Sequence, residues 1–126
     1  MIDATVDAAI DSGAQRVGVL AADGCRRAGL YQHAFEARGV DAVFLADEAQ
    51  QDFMKLIFRV KAGDIGDDVQ RRMQQLALSL NARGAQAVIA ACTEVPLVLS
   101  SDTLAVPVIS STDALVTRAI EFANRN

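Results

Sequence analysis

Short apolar, β-branched runs alternate along this chain with longer stretches whose apolar residues recur every three or four positions, and this alternation restricts the fold more than any other feature. Parallel strands need a crossover of a dozen or more residues between them, and a helix is the crossover that fits such intervals. Four runs read as strands: residues 16–21 (Arg-Val-Gly-Val-Leu-Ala), 40–45, 86–91 and 106–109. Each is short and mostly apolar, as a strand covered on both faces should be. Residues 2–12 read as a helix closed by Gly13, and 26–38 as one closed by Gly39, with Leu30, Tyr31, Ala34 and Phe35 on its inner face. Residues 49–62 form another, ended by Gly63. Over 67–83 the apolar positions Val69, Met73, Leu76 and Leu80 recur at spacings of 4, 3 and 4, with acids at the start and Gly84 just past the end. A last helix starts at Ser110, whose hydroxyl caps the amide of Asp113, and runs through Leu115, Val116 and Ile120. The expectation is an α/β fold: one three-layer domain over residues 1–126 with a four-stranded parallel sheet, and no repeat or linker.

Composition supports one core and narrows the partners. A chain of 126 residues with 52% apolar content can bury one substantial core. The net charge of −4, with Lys and Arg scattered, argues against nucleic acid or an anionic membrane as the main partner. Neither a bilayer-spanning apolar run nor a signal-peptide pattern is evident, so the expected location is the cytoplasm. In that compartment Cys25 and Cys92 are expected to stay reduced. Together with the single His33 they do not make a metal-ligand cluster of usual spacing, so no metal is expected.

In an open parallel sheet ligands bind at the carboxyl ends of the strands, which directs attention to the residues just after each one. The third strand leads into Cys92-Thr93-Glu94-Val95-Pro96. Here a thiol, a hydroxyl and a carboxylate are consecutive, and Pro96 suits the first turn of a following helix. Unpaired amides at a helix start favour anions, would bind a substrate carboxylate, and would lower the pKa of Cys92. The competing reading of Cys92 is a buried structural cysteine. After the first strand, Ala21-Ala22-Asp23-Gly24-Cys25 is a Gly-containing turn whose amides could face an anion. After the fourth, Ser110-Ser111-Thr112 reads more simply as a helix cap than as a substrate contact. Lys61, in Val60-Lys61-Ala62-Gly63, fits a cation complementing the dipole of its own helix. His33 is given no role.

These segments together resemble the aspartate/glutamate racemase superfamily, with its aspartate racemase branch nearest: Cys92-Thr93-Glu94, Leu20-Ala21-Ala22-Asp23-Gly24 followed by Gly29-Leu30-Tyr31, and Lys61-Ala62-Gly63. The resemblance covers essentially the whole chain but maps onto the second, C-terminal half of the family pattern. It implies a flavodoxin-like domain, one of two that face each other across a cleft and each donate a catalytic cysteine, working without a cofactor. It further implies that Cys92 is the second-domain catalytic thiol, Thr93 a ligand of the substrate α-carboxylate, and Lys61 a contact to the distal carboxylate. Glu94, Ala22, Gly24 and Cys25 complete the implied substrate-binding set. The chain departs from the family pattern at Cys25, where Thr is usual, and at Ser110, where Asp is frequent.

Inversion at a carbon needs a second acid on the opposite face, so two thiols each about 3.5 Å from it stand roughly 7 Å apart. One domain does not readily place Cys92 on both faces, and Cys25 follows a neighbouring strand end in the same half-site. The expectation is therefore an Asp/Glu racemase-like domain that takes a small dicarboxylic amino acid or related carboxylate and acts as a homodimer or with a separate first-half chain. Two other readings stay open. One is a single-cysteine decarboxylase of malonate-type substrates, which needs protonation from one face only; the other is a non-catalytic small-molecule-binding or interaction module.

Overall fold

The computed structural model describes residues 2–99 and 106–110. The chain runs α1 (Ile2–Asp11), β1 (Arg16–Leu20), α2 (Asp23–Ala28), α3 (Leu30–Glu36), β2 (Asp41–Phe44), α4 (Asp47–Lys61), α5 (Asp67–Ala82), β3 (Ala87–Ala90), a 3-10 turn (Val95–Leu97) and β4 (Val108–Ser110). The strands form a four-stranded sheet in the order β2-β1-β3-β4, every pairing parallel. Side chains alternate across the two faces with the strand period of two. Val17, Val19, Ala87 and Ile89 pack with α1 and α3 around Val6, Ala9, Tyr31 and Phe35. Leu20, Val88 and Ala90 pack on the opposite face with α4 and α5 around Phe53, Ile57, Met73 and Leu80. Helices thus cover both faces, as the unbroken apolar runs require.

Four sequence readings change in detail. The stretch 26–38 is two helices rather than one, because Gly29 adopts a left-handed φ of 67° that ends α2 and starts α3 at a new angle. Helix α2 also begins earlier, at Asp23, so Gly24 and Cys25 lie in its first turn rather than in a preceding loop. The fourth strand is shifted to Val108–Ser110, because Pro107 has no N–H for the ladder; only its carbonyl takes part, accepting from Val88 N at 2.9 Å. Ser110 therefore ends a strand, paired with Ala90, while the expected helix beyond it lies outside the described residues.

Helix α4 has the placement most relevant to function. Its apolar side packs on Leu20, Leu45, Ala90 and Val95, which are residues at or just past strand ends. Near its start, Gln50 bonds the segment following β1, and at its finish Lys61 faces Glu94 in the segment following β3. It therefore runs along the carboxyl edge of the sheet and touches both loops.

Helix α5 lies on the sheet through an unusually close contact. A Cβ built on Gly18, in the middle of β1, would lie 3.0 Å from both Cβ and Cδ1 of Leu80 and 3.2 Å from the Ala85 methyl. Leu80 is fully buried, so any shift would have to displace its core neighbours. Gly18→Ala is expected to destabilise the fold by about 1–3 kcal/mol through overpacking. In urea unfolding, Gly18→Ala combined with Leu80→Ala should cost less than the sum of the single changes; strict additivity would show that the contact is not what excludes a side chain.

Candidate active site

The strand order reverses direction between β1 and β3: from β1 the chain moves outward to β2, then returns to the other side for β3 and β4. The loops that leave the carboxyl ends of β1 and β3 therefore diverge and leave a crevice, the usual ligand position in a doubly wound sheet. Leu20 and Ala90 are partners in register, and Ala91 N donates to Leu20 O at 3.0 Å. Two residues further along each chain are Ala22 and Cys92, which thus stand side by side at the mouth of the crevice.

Cys92 is half-buried against the core, and the backbone N–H of Ala22 donates toward its sulfur. Desolvation dominates its titration and pushes the thiol above its ordinary pKa; the Ala22 amide and Lys61 pull it down, while Glu94 and Cys25 push it further up. This corrects the expectation of a lowered pKa. Among the described residues the segment after Cys92 forms the short Val95–Leu97 turn, with Pro96 in its first positions, and no long helix whose dipole would aim at the sulfur.

The other expected residues divide between those the fold brings to Cys92 and those it does not. Lys61 comes from the last turn of α4 to within 3.9 Å of Glu94 Oε1, so it does more than complement its own helix. It also lies 5.9 Å from the centre of the Phe58 ring. Ala22 is the extended residue that caps α2, with φ −64° and ψ 159°. Cys25 is half-buried on α2, its thiol also raised by desolvation. It follows β1 on the same side of the crevice, near enough to Cys92 for the two charges to repel. Thr93 is exposed at the loop surface, as is Gly24 on α2. Ser110 is buried at the end of β4; Ser111 and Thr112 lie outside the described residues. Among the described residues no three metal-ligating side chains come together, and no helix is long and apolar enough to cross a membrane.

Two contributors were not singled out from the sequence as site residues. Gln50, on α4, is buried and donates to Ala21 O and to Asp23 Oδ1, both at 2.9 Å. Tyr31, on α3, is buried with its hydroxyl bonded to Thr5, and its ionisation is opposed first by desolvation and then by the charges of both thiols. A buried tyrosine needs a partner for its hydroxyl, so its inner-face position could have flagged it. Beside this centre an open depression of about 510 Å³ is lined by Asp23, Arg26, Arg27, Asp47, Gln50 and Gln51. There Arg26 lies 3.7 Å from Asp47 and 6.0 Å from the Phe44 ring centre. A groove of about 290 Å³ between α4 and α5, around Leu56 and Leu76, lies away from the thiols.

A crevice at the switch point of a parallel sheet, with a cysteine facing a backbone amide, defines an α/β domain with a candidate thiol centre. The model of the Asp/Glu/Hydantoin racemase family matches residues 1–119, and the chain belongs to that family. It is 27% identical over 124 residues to an uncharacterized protein encoded in the pnlA 3' region of Pectobacterium carotovorum subsp. carotovorum, covering 97% of this chain and 82% of that protein. Its fold is similar to that of an aspartate racemase homologue from Pyrococcus horikoshii OT3, with a TM-score of 0.86, 24% identity, and coverage of 98% of this chain and 54% of the other. Picrophilus torridus aspartate racemase gives a TM-score of 0.82 and 26% identity, over 98% of this chain and 51% of that enzyme. The chain thus spans about half the length of these solved relatives.

The charges around Cys92 predict opposite effects of two neutralisations. In a Cys25→Ser background, the pH profile of Cys92 alkylation should have its midpoint above the ordinary thiol value of about 8.5. Glu94→Gln should move the midpoint down by removing a repelling carboxylate, and Lys61→Met should move it up by removing an attracting cation. Iodoacetamide kinetics from pH 6 to 10 would check both signs.

Proposed function

We propose that this chain is a cofactor-independent, racemase-like catalytic domain that moves the α-proton of an acidic amino acid, Asp or Glu, with Cys92 as acid and base. The observation that carries the reading is the position of Cys92 at the β1/β3 crevice, with the Ala22 amide toward its sulfur, in a member of the Asp/Glu/Hydantoin racemase family. An α-proton is weakly acidic, so its removal needs a strong base held in a poorly hydrated site. Burial answers both needs. It keeps the empty-site thiol protonated, ready to deliver a proton, and makes the thiolate a stronger base once it forms.

Lys61 at the rim is the cation for the distal carboxylate, and forming that contact draws it away from Glu94, with which its 3.9 Å pairing is loose and partly exposed. Thr93 and the amides near Ala22, Gly24 and Cys25 are the partners for the α-carboxylate. In one half-reaction the Cys92 thiol gives its proton to water, the resulting thiolate takes the α-proton, and the electron pair left on the carbon is delocalised into the adjacent carboxylate. Return of a proton to the same face restores the starting isomer, whereas inversion needs an acid on the other face. Cys25 belongs to the same half-site as Cys92. The second acid is therefore assigned to another domain, either a second copy of this chain across a twofold axis or a separate first-half chain. The doubled length of the solved relatives supports that division.

Proton NMR of L-Asp and L-Glu incubated with the protein in heavy water tests this directly. The expected result is loss of the α-proton signal with intact Cys92 and none with Cys92→Ala, a change that should cost little stability at a half-buried position. Appearance of the D-isomer would additionally show a second proton donor. Full exchange in the Cys92→Ala protein would refute the assignment of the base, and no exchange in either protein would leave a small-molecule-binding module as the better description.

A further inference from the structure

Gln50 occupies a position where the packing of α4 calls for an apolar side chain. Phe53, Ile57 and Val60 follow it at spacings of 3, 4 and 3 and are all buried, so residue 50 continues the stripe that faces the core. Gln50 itself is 7% exposed. A carboxamide there is tolerated only because both of its N–H donors are used, one on the carbonyl of Ala21 and the other on the carboxylate of Asp23. A hydrophobic residue of similar size would fill the stripe without needing either bond. The bonds therefore point to a role beyond filling the core.

Their targets indicate what that role is. Ala21 is the residue just past β1 and is buried, so its carbonyl needs a partner within the protein. Asp23 is the first residue of α2. Between them lies Ala22, whose extended backbone connects strand to helix and whose N–H is turned toward Cys92. One side chain from a helix 27 residues further along the chain thus grips both neighbours of the residue that faces the sulfur.

We propose that Gln50 is a positioning residue for the thiol at position 92: by holding Ala21 and Asp23 together, it aims the Ala22 amide at the sulfur. It touches neither the sulfur nor any substrate directly. Its effect is transmitted through the strand-to-helix turn. This inference rests on Cys92 being the working thiol, and it specifies how that thiol is tuned. The charged and titratable groups facing Cys92 are Glu94 from its own loop, Lys61 from α4, Cys25 from α2 and Tyr31 from α3. None of them is bonded to Gln50, so its removal leaves those charges in place and isolates the contribution of the amide.

The test compares the pH dependence of iodoacetamide alkylation in the full chain carrying Cys25→Ser, which leaves Cys92 as its one thiol, with and without Gln50→Met. Met keeps the length and fills the stripe but donates nothing. Loss of a hydrogen bond to the thiolate raises its pKa, so the midpoint should move upward. Well below the midpoint, a thiolate becomes about tenfold scarcer when its pKa rises by about 1, so alkylation at pH 7 should slow by about threefold or more. An unchanged profile in a protein that is folded by circular dichroism would overturn the proposal, whatever happened to its melting temperature. Should Gln50→Met not fold, Gln50→Leu fills the same stripe, donates nothing and changes no charge. It should raise the midpoint likewise, and no shift would overturn the proposal. Alkylation requires no substrate, so the two readings fail separately. A shifted profile without any α-proton exchange would sink the racemase-like activity alone, and robust exchange with an unshifted profile would sink the role of Gln50 alone.

Discussion

The parallel pairing of β1 with β3 is the constraint on which the rest of the structure depends. These are the two central strands, and every other strand is added outside them. Their register places Leu20 beside Ala90, and the bond from Ala91 N to Leu20 O carries the pairing to the point where the loops part. A slip of β3 by one residue would exchange the faces of Val88 and Ile89 and disturb the packing of both cores. The same slip would move Ala22 away from Cys92. Fold stability and site geometry are therefore set by the same register.

The site built on that register relies on burial rather than on the helix start that the sequence leads one to expect. A dipole stabilises a thiolate and makes it a weaker base, whereas desolvation keeps the thiol neutral and makes its anion a stronger one. Around Cys92 the balance lies with desolvation, moderated by one backbone amide and one cation at the rim. Moving a proton from carbon calls for a group that can both accept and return it, which is the demand that the role proposed for Cys92 places on a thiol.

Much of this was legible in the sequence. Apolar runs without polar alternation marked the four parallel strands, because a strand covered on both faces leaves no polar side to show. The segments at residues 20–24, 61–63 and 92–94 marked the family. Less legible were features decided by one backbone angle or one distant bond. Gly29 sits in a pattern whose apolar residues Leu30, Tyr31, Ala34 and Phe35 fit a continuing helix, and only its left-handed conformation shows that the helix stops and restarts. Pro96 promised a helix after Cys92, but the described residues form a single 3-10 turn there, and burial of Val95, Val98 and Leu99 outweighs propensity. Gln50 left a trace only as a polar residue on the apolar stripe of its helix. The sequence pattern does not name its partners, which lie 27 and 29 residues away.

Helix α4 reaches the loop after β1 through Gln50 and the loop after β3 through Lys61, and between those contacts it is pinned to the core by Phe53, Leu56, Ile57 and Val60. A helix of 15 residues is stiff over this span. The two walls of the crevice are therefore braced by a common strut and do not open as independent flaps. Widening the crevice requires the helix to shift as a body against the core or to release one of its end contacts. The exposed ion pair at the Lys61 end releases more readily than the doubly bonded amide at the Gln50 end. The Lys61 contact is consequently the weaker of the two ends of the strut, and the wall that carries Glu94 is held mainly by the buried side chains of Val95, Val98 and Leu99.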